Sequence, residues 1–153
     1  MTPQYRKKSK SFAQNCNFRA GTTLTCLAAC AALIPPTPVY AAVVIEEALF
    51  DPVGIDTAAE WIEIANTGAE GQNLSGWQLY PDGAGYFSFP AGFALKAGQS
   101  AVIHLRRSGA SSAAELYHSA AQANMGNTAG SAALFSAEPR GPGTIKSFVQ
   151  WGR

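Results

Sequence analysis

Cysteine is scarce and confined to one end. Cys16, Cys26 and Cys30 are the only three, and nothing after residue 30 can form a disulfide or a thiolate metal site. The chain also lacks a basic excess where it would matter for nucleic acid. Arg6, Lys7, Lys8, Lys10 and Arg19 precede every acid, whereas all ten acids and only six bases (Lys96, Arg106, Arg107, Arg140, Lys146 and Arg153) follow residue 41. Residues 42–153 therefore carry 6 − 10 = −4, against +1 for the whole chain. Binding to a phosphate backbone rests on neutralising many charges with Lys and Arg, so nucleic acid is a poor default partner. A membrane-spanning run is missing too. The apolar stretch from Leu24 to Ile34 is interrupted by Thr25 and ended by Pro35-Pro36, and a span needs about 20 apolar residues.

What the first part does contain reads as an address. Five bases lead into LTCLAACAALIPPTPVYAA, with Val39 and Ala41 at the −3 and −1 positions of a signal-peptidase site. The expected division is a signal peptide over 1–41 and one mature domain over 42–153, exported to the periplasm, cell surface or exterior. A second processing route competes: LAAC, ending at Cys30, resembles a lipobox, although the apolar character runs on past it to Ile34. A single lipid chain anchors only marginally.

The remaining residues are enough to bury a core without staples. Short alternating or apolar segments recur, namely AVVIEEALF, EWIEIAN, LSGWQLY, GYFSFP, SAVIHLR, SAALFSA and IKSFVQWG. Turn signals such as Asn66-Thr67-Gly68 and Pro81-Asp82-Gly83 separate them. About seven strands at this spacing predict an all-β antiparallel sandwich or barrel. Within the strands, Ile62 and Ile64 are expected to face the core and Glu63 the solvent, since strand side chains alternate. Phe87, Phe89, Phe93 and Trp77 are expected in the core, while Trp61 and Tyr80 are the candidates for surface contacts. One segment is ambiguous. In SSAAELYHSAAQAN, Ser112 and Glu115 have capping-box spacing and the alanines favour helix, yet Leu116 and Tyr117 are its only large apolar residues.

Residues with catalytic potential are few and unpatterned. His104 lies in AVIHLRR, on the face opposite Ala101, Ile103 and Leu105, and reads as a half-exposed strand residue; His118 reads as a surface residue. Glu46, Glu47, Asp51, Asp56, Glu60 and Glu63 cluster early. A solvated strand face accounts for them, with a calcium loop or a paired-carboxylate, metal-dependent hydrolase as competing readings. No D-x-[DN]-x-[DN]-G loop, G-x-S-x-G elbow, P-loop or dinucleotide fingerprint occurs. No catalytic, metal or cofactor residue is assigned, and no cofactor is expected.

Residues 44–109 resemble the lamin tail domain in its secreted bacterial form. The likeness rests on Glu46-Glu47 in the first strand and an aromatic-aliphatic-Glu-aliphatic strand ending at Asn66. It continues through LSGW (Leu74 to Trp77), Phe89-Pro90 and FALKAGQ (Phe93 to Gln99), with Gly126-Asn127, AALFSA and FVQWG fitting the close. The resemblance implies an immunoglobulin-like sandwich of seven or more strands, an extended segment where 110–125 hinted at helix, and a binding role without catalysis. Gly76 then supplies room or an unusual backbone angle before the large ring of Trp77, Gly98 closes a turn between Leu95 and Val102, and no matched residue carries chemistry. The expected function is a non-enzymatic interaction module of the cell envelope or exterior, its partner a protein or envelope component, acting through sheet edges or the 50–60 and 108–130 loops. Binding of nucleic acid or another anionic polymer through Arg106, Arg107 and Arg140 is the alternative.

Overall fold

The computed structural model describes residues 43–152. The signal-peptide boundary at Ala41 and the lipobox at Cys30 lie outside the described residues. Ten strands follow in order: β1 (Val43–Leu49), β2 (Trp61–Asn66), β3 (Gln72–Asn73), β4 (Gln78–Pro81), β5 (Phe87–Ser88), β6 (Ala94–Leu95), β7 (Ser100–Leu105), β8 (Glu115–His118), β9 (Gly130–Phe135) and β10 (Ile145–Trp151). They form two four-stranded sheets, β1-β2-β7-β8 and β10-β9-β4-β5, with β3 and β6 as a small accessory ribbon. This is an immunoglobulin-like β-sandwich. Among the described residues no helix is long and apolar enough to cross a membrane.

Period-two alternation builds each layer. Ile62 and Ile64 of β2 are wholly buried, with Glu63 between them on the outer face, and Ala101, Ile103 and Leu105 of β7 repeat the pattern beside them. From the second sheet, Leu79, Ala132 and Leu134 close on these side chains. Burying one such aliphatic side chain contributes about 1.5–3 kcal/mol. Trp77, Phe89 and Phe93 are buried as expected, Phe89 stacking on Phe93 with centroids 5.6 Å apart, while Phe87 is only partly buried against the same cluster. Gly76 has φ +75°, and a β-carbon at this position would meet nothing within 4 Å, so its requirement is conformational, not spatial.

The segment of mixed signals resolves as strand. Ser112 spends its hydroxyl on the amides of Ala114 (3.2 Å) and Glu115 (3.1 Å), and its own amide on the carbonyl of Glu115 (2.8 Å). The same side chain that would start a helix instead holds a turn, because such hydroxyls serve turns as readily as caps. β8 then runs parallel to β7, the exception in an otherwise antiparallel architecture. The returning chain crosses the outer face of β8, where Gly109 lies directly on the ring of Tyr117: a β-carbon there would come within 2.3 Å of it. On the other side of the sandwich, β1 and β10 approach each other. The amide of Ile45 donates to Oγ of Ser147 (2.9 Å), and each strand shifts register at this place, between Ile45 and Glu47 and between Ile145 and Ser147.

Candidate functional site

Buried polar residues flank the core of strand β2: Glu60 immediately precedes it and Asn66 closes it. Residues 60, 62, 64 and 66 share the inward parity, so Glu60 and Asn66 are carried into the interior with the two isoleucines; they are 1% and 0% exposed. Asn66 is fully used: Nδ2 donates to the carbonyls of Glu70 (2.8 Å) and Leu95 (3.0 Å), and Oδ1 accepts from the amide of Gly68 (3.0 Å). Glu60 accepts from the amide of Met125 (2.9 Å) through Oε2, while Oε1 has no hydrogen-bond partner among the described residues. Burial pushes its carboxyl above the usual range, against the lowering effect of the Met125 amide; Asp56 adds to the rise and Arg106 opposes it. The expectation that the early acids form a solvated face therefore fails at Glu60.

His118 corrects the sequence reading in the same way. It shares the inward parity of Leu116, is buried, and packs on Phe87 with centroids 5.7 Å apart. Burial pushes its pKa down, in opposition to hydrogen bonds with the Gly85 and Ala84 backbone. Glu60 and His118 do not meet: Leu105 stands between them in register, its amide bonded to the carbonyl of Glu60 and itself paired with His118. Among the described residues no group of three or more His, Cys, Asp or Glu side chains is gathered to hold a metal ion.

The two loop regions expected to bind are joined to each other. Asn127 donates through Nδ2 to Oδ1 of Asp51 (3.1 Å) and Oδ2 of Asp56 (3.0 Å). The indole of Trp151 donates to the carbonyl of Gly126 and stacks on Phe50 at 4.7 Å. Val53 and Ile55 project from the 50–60 loop, 85% and 80% exposed. Two of the three candidate arginines, Arg106 and Arg140, are separately engaged. Arg106 donates to Oδ1 of Asn124 (3.0 Å), whereas Arg140 pairs with Glu138, bonds Oε1 of Gln78 and covers the ring of Tyr86 at 3.6 Å.

Outward parity places the remaining aromatics in rows. On the sheet β10-β9-β4-β5, Phe148, Ala133 and Tyr80 are cross-strand neighbours, and Tyr80 contacts Tyr86 at 4.5 Å. On β1-β2-β7-β8, the register aligns Leu49, Trp61, His104 and Tyr117 across all four strands. The His104 and Tyr117 rings stack at 5.0 Å and 21°. One step along lies a second row, Glu47, Glu63, Val102 and Glu115. Trp61 and Tyr80, the surface candidates from sequence, thus lie half-buried on opposite outer faces.

A family model described as Lamin Tail Domain matches residues 36–152. The chain belongs to the lamin tail domain family. A search of curated proteins finds no match. The match to the lamin tail domain starts at residue 36, inside the segment read as a leader, and covers every described strand. Family membership fixes the sandwich and is compatible with a non-catalytic binding or structural module; it names no partner for this lamin tail domain. Parity was the signal that could have found the buried polar set, since Glu60 and Asn66 keep step with Ile62 and Ile64.

Proposed function

We propose that residues 42–153 are an exported, non-enzymatic interaction module of the cell envelope or exterior. One observation supports this most: the aromatics not needed in the core are set in outward rows on both sheets. Glu60 and Asn66 tie loops to the interior, and Asp51 and Asp56 hold Asn127. The basic, apolar and small-residue sequence of the first 41 residues supports export. The attachments of Arg140 to Glu138, Gln78 and Tyr86 weigh against a free cationic patch for anionic polymers.

Expression of the tagged full-length chain in an exporting bacterium tests both halves. The expected mature mass starts at Ala42, with the lipidated Cys30 form as the rival product, and a chain retaining Met1 in the cytosol removes the export reading. Cross-linking followed by purification from envelope and culture supernatant is expected to recover a defined partner. A shift in melting temperature with calcium, magnesium or zinc, together with hydrolytic turnover, would reverse the non-enzymatic reading, because a ligand that binds only the folded state must stabilise it.

A further inference from the structure

The two outer rows of the β1-β2-β7-β8 sheet differ in kind, and their adjacency specifies a chemistry. The first is aromatic: Trp61, His104 and Tyr117 stand side by side. The second is acidic: Glu63 and Glu115 flank Val102, and Glu47 lies opposite Glu63 on β1. Strand geometry sets the rows about 7 Å apart and neighbouring strands about 4.8 Å apart. A Lys ammonium or Arg guanidinium lying over Trp61 is then within reach of the Glu63 carboxylate, whereas the Tyr117 ring is already covered by Gly109 and His104.

The rows are held in place by their own contacts. Gly109 lies on one face of the Tyr117 ring and His104 on the other side of the row, and the Tyr117 hydroxyl donates to Oε2 of Glu115 (3.0 Å). Ser100 donates to Oε1 of Glu63 (2.7 Å). These bonds orient the carboxylates, and Glu115 has a side chain 55% exposed. His104 adds no competing charge at neutral pH, since burial and then Arg107 push its pKa down against the pull of Glu115. Arg107, past the end of β7, is a base whose charge bears on this row, acting on His104 and Tyr117.

We infer that this face docks a cationic, extended polypeptide segment of a partner protein, with Lys or Arg side chains seated over Trp61 and against the Glu63 and Glu115 carboxylates. The aromatic quadrupole and the carboxylates attract the same positive charge, one through the ring face and the other through hydrogen-bonded pairing. The net charge of −4 over residues 42–153 favours the encounter. The inference rests on the interaction-module reading and narrows it to one face and one partner chemistry.

The test is titration of the purified chain with hexalysine and hexaglutamate peptides at low ionic strength, followed by amide and indole NMR shifts and by calorimetry. Hexalysine is expected to shift Trp61, Glu63, Val102, His104 and Glu115, with hexaglutamate silent and the effect lost at high salt. The double variant Glu63→Gln/Glu115→Gln keeps the side-chain shapes and is expected to weaken hexalysine binding about tenfold. Trp61→Ala is expected to weaken it about threefold or more, and Phe148→Ala on the opposite sheet to leave it unchanged; near-ultraviolet circular dichroism checks that each variant is folded. Hexalysine binding that persists in the double variant, or shifts confined to β4, β9 and β10, overturns the assignment of this face. No binding of hexalysine by the folded protein overturns it as well. If a cross-linked envelope partner still binds the double variant, the module reading survives without this face; if neither the peptide nor any partner binds, both fall.

Discussion

The amide of Met125 and the carboxylate of Glu60, 65 residues apart in the chain, form a buried 2.9 Å hydrogen bond that fastens the 119–129 loop to the start of β2. Replacing Glu60 by Ala leaves that amide without its partner in an apolar setting, at a cost of about 1–3 kcal/mol. A lowered thermal midpoint and faster amide exchange at Met125 check it.

Glu60 also makes stability depend on pH. Its folded pKa is raised from the ordinary 4.5, so the folded state holds a proton that the unfolded state has released. The stabilising contribution is complete below 4.5 and is lost as pH rises through the folded pKa. Glu60→Gln removes this titration. Denaturant melts from pH 4 to 8 are expected to show the downward trend with rising pH in the wild type relative to this variant.

His118 acts in the opposite sense. Its folded pKa is depressed below 6.5, so acidification through 6.5 protonates the unfolded chain first and stability falls until the folded pKa is reached. Substituting His118 by Gln is expected to abolish this loss on acidification and to leave the Glu60 trend exposed. A variant whose midpoint follows the wild-type pH curve between 4 and 7 would show that His118 does not titrate in this way.

Asn127 spans Asp51 and Asp56 with a single amide nitrogen. Asn127→Asp replaces the shared donor by a third carboxylate, and both attractions turn repulsive. Hydrogen exchange across residues 51–59 is expected to accelerate, with a loss of about 1 kcal/mol in global stability, whereas Asn127→Ser is expected to have a smaller effect.

Asn66 is expected to be the most sensitive polar position. Three backbone groups, at Gly68, Glu70 and Leu95, depend on its side chain, the bond to Leu95 fully buried and the other two partly so. Asn66→Asp turns the donor that faces two carbonyls into an acceptor, for which a loss of about 2–4 kcal/mol follows from the unpaired groups. The thermal midpoint of Asn66→Asp below that of Glu60→Ala is the outcome that checks the ranking.

The sandwich was legible because its strands obey a simple rule. Ile62 and Ile64, and Ala101, Ile103 and Leu105, point inward on alternation alone, and turn residues bound them. Chemistry obscured parity at Glu60 and His118: each keeps the inward step of its strand, but a charged or titratable identity suggested solvent. The parallel run of β8 was not legible in local signals, because Ser112 and Glu115 satisfy either a helix cap or a turn; the resemblance implied an extended segment there, and pairing with β7 makes it a strand. Likewise, alternation showed which side Trp61, His104 and Tyr117 face, but their alignment in one row depends on register across strands up to 56 residues apart (117 − 61), which tertiary pairing sets.

The paired register shifts in β1 and β10, with the Ile45 amide bonded to the Ser147 hydroxyl, have a colloidal consequence. A straight outermost strand is a template on which a second copy can add, and repeated addition yields cross-β polymer. Here one outermost strand of each sheet is kinked at the place where the two come together, and an open donor there is capped by a side chain. Along this side the break in both edges opposes strand-by-strand addition of a second copy.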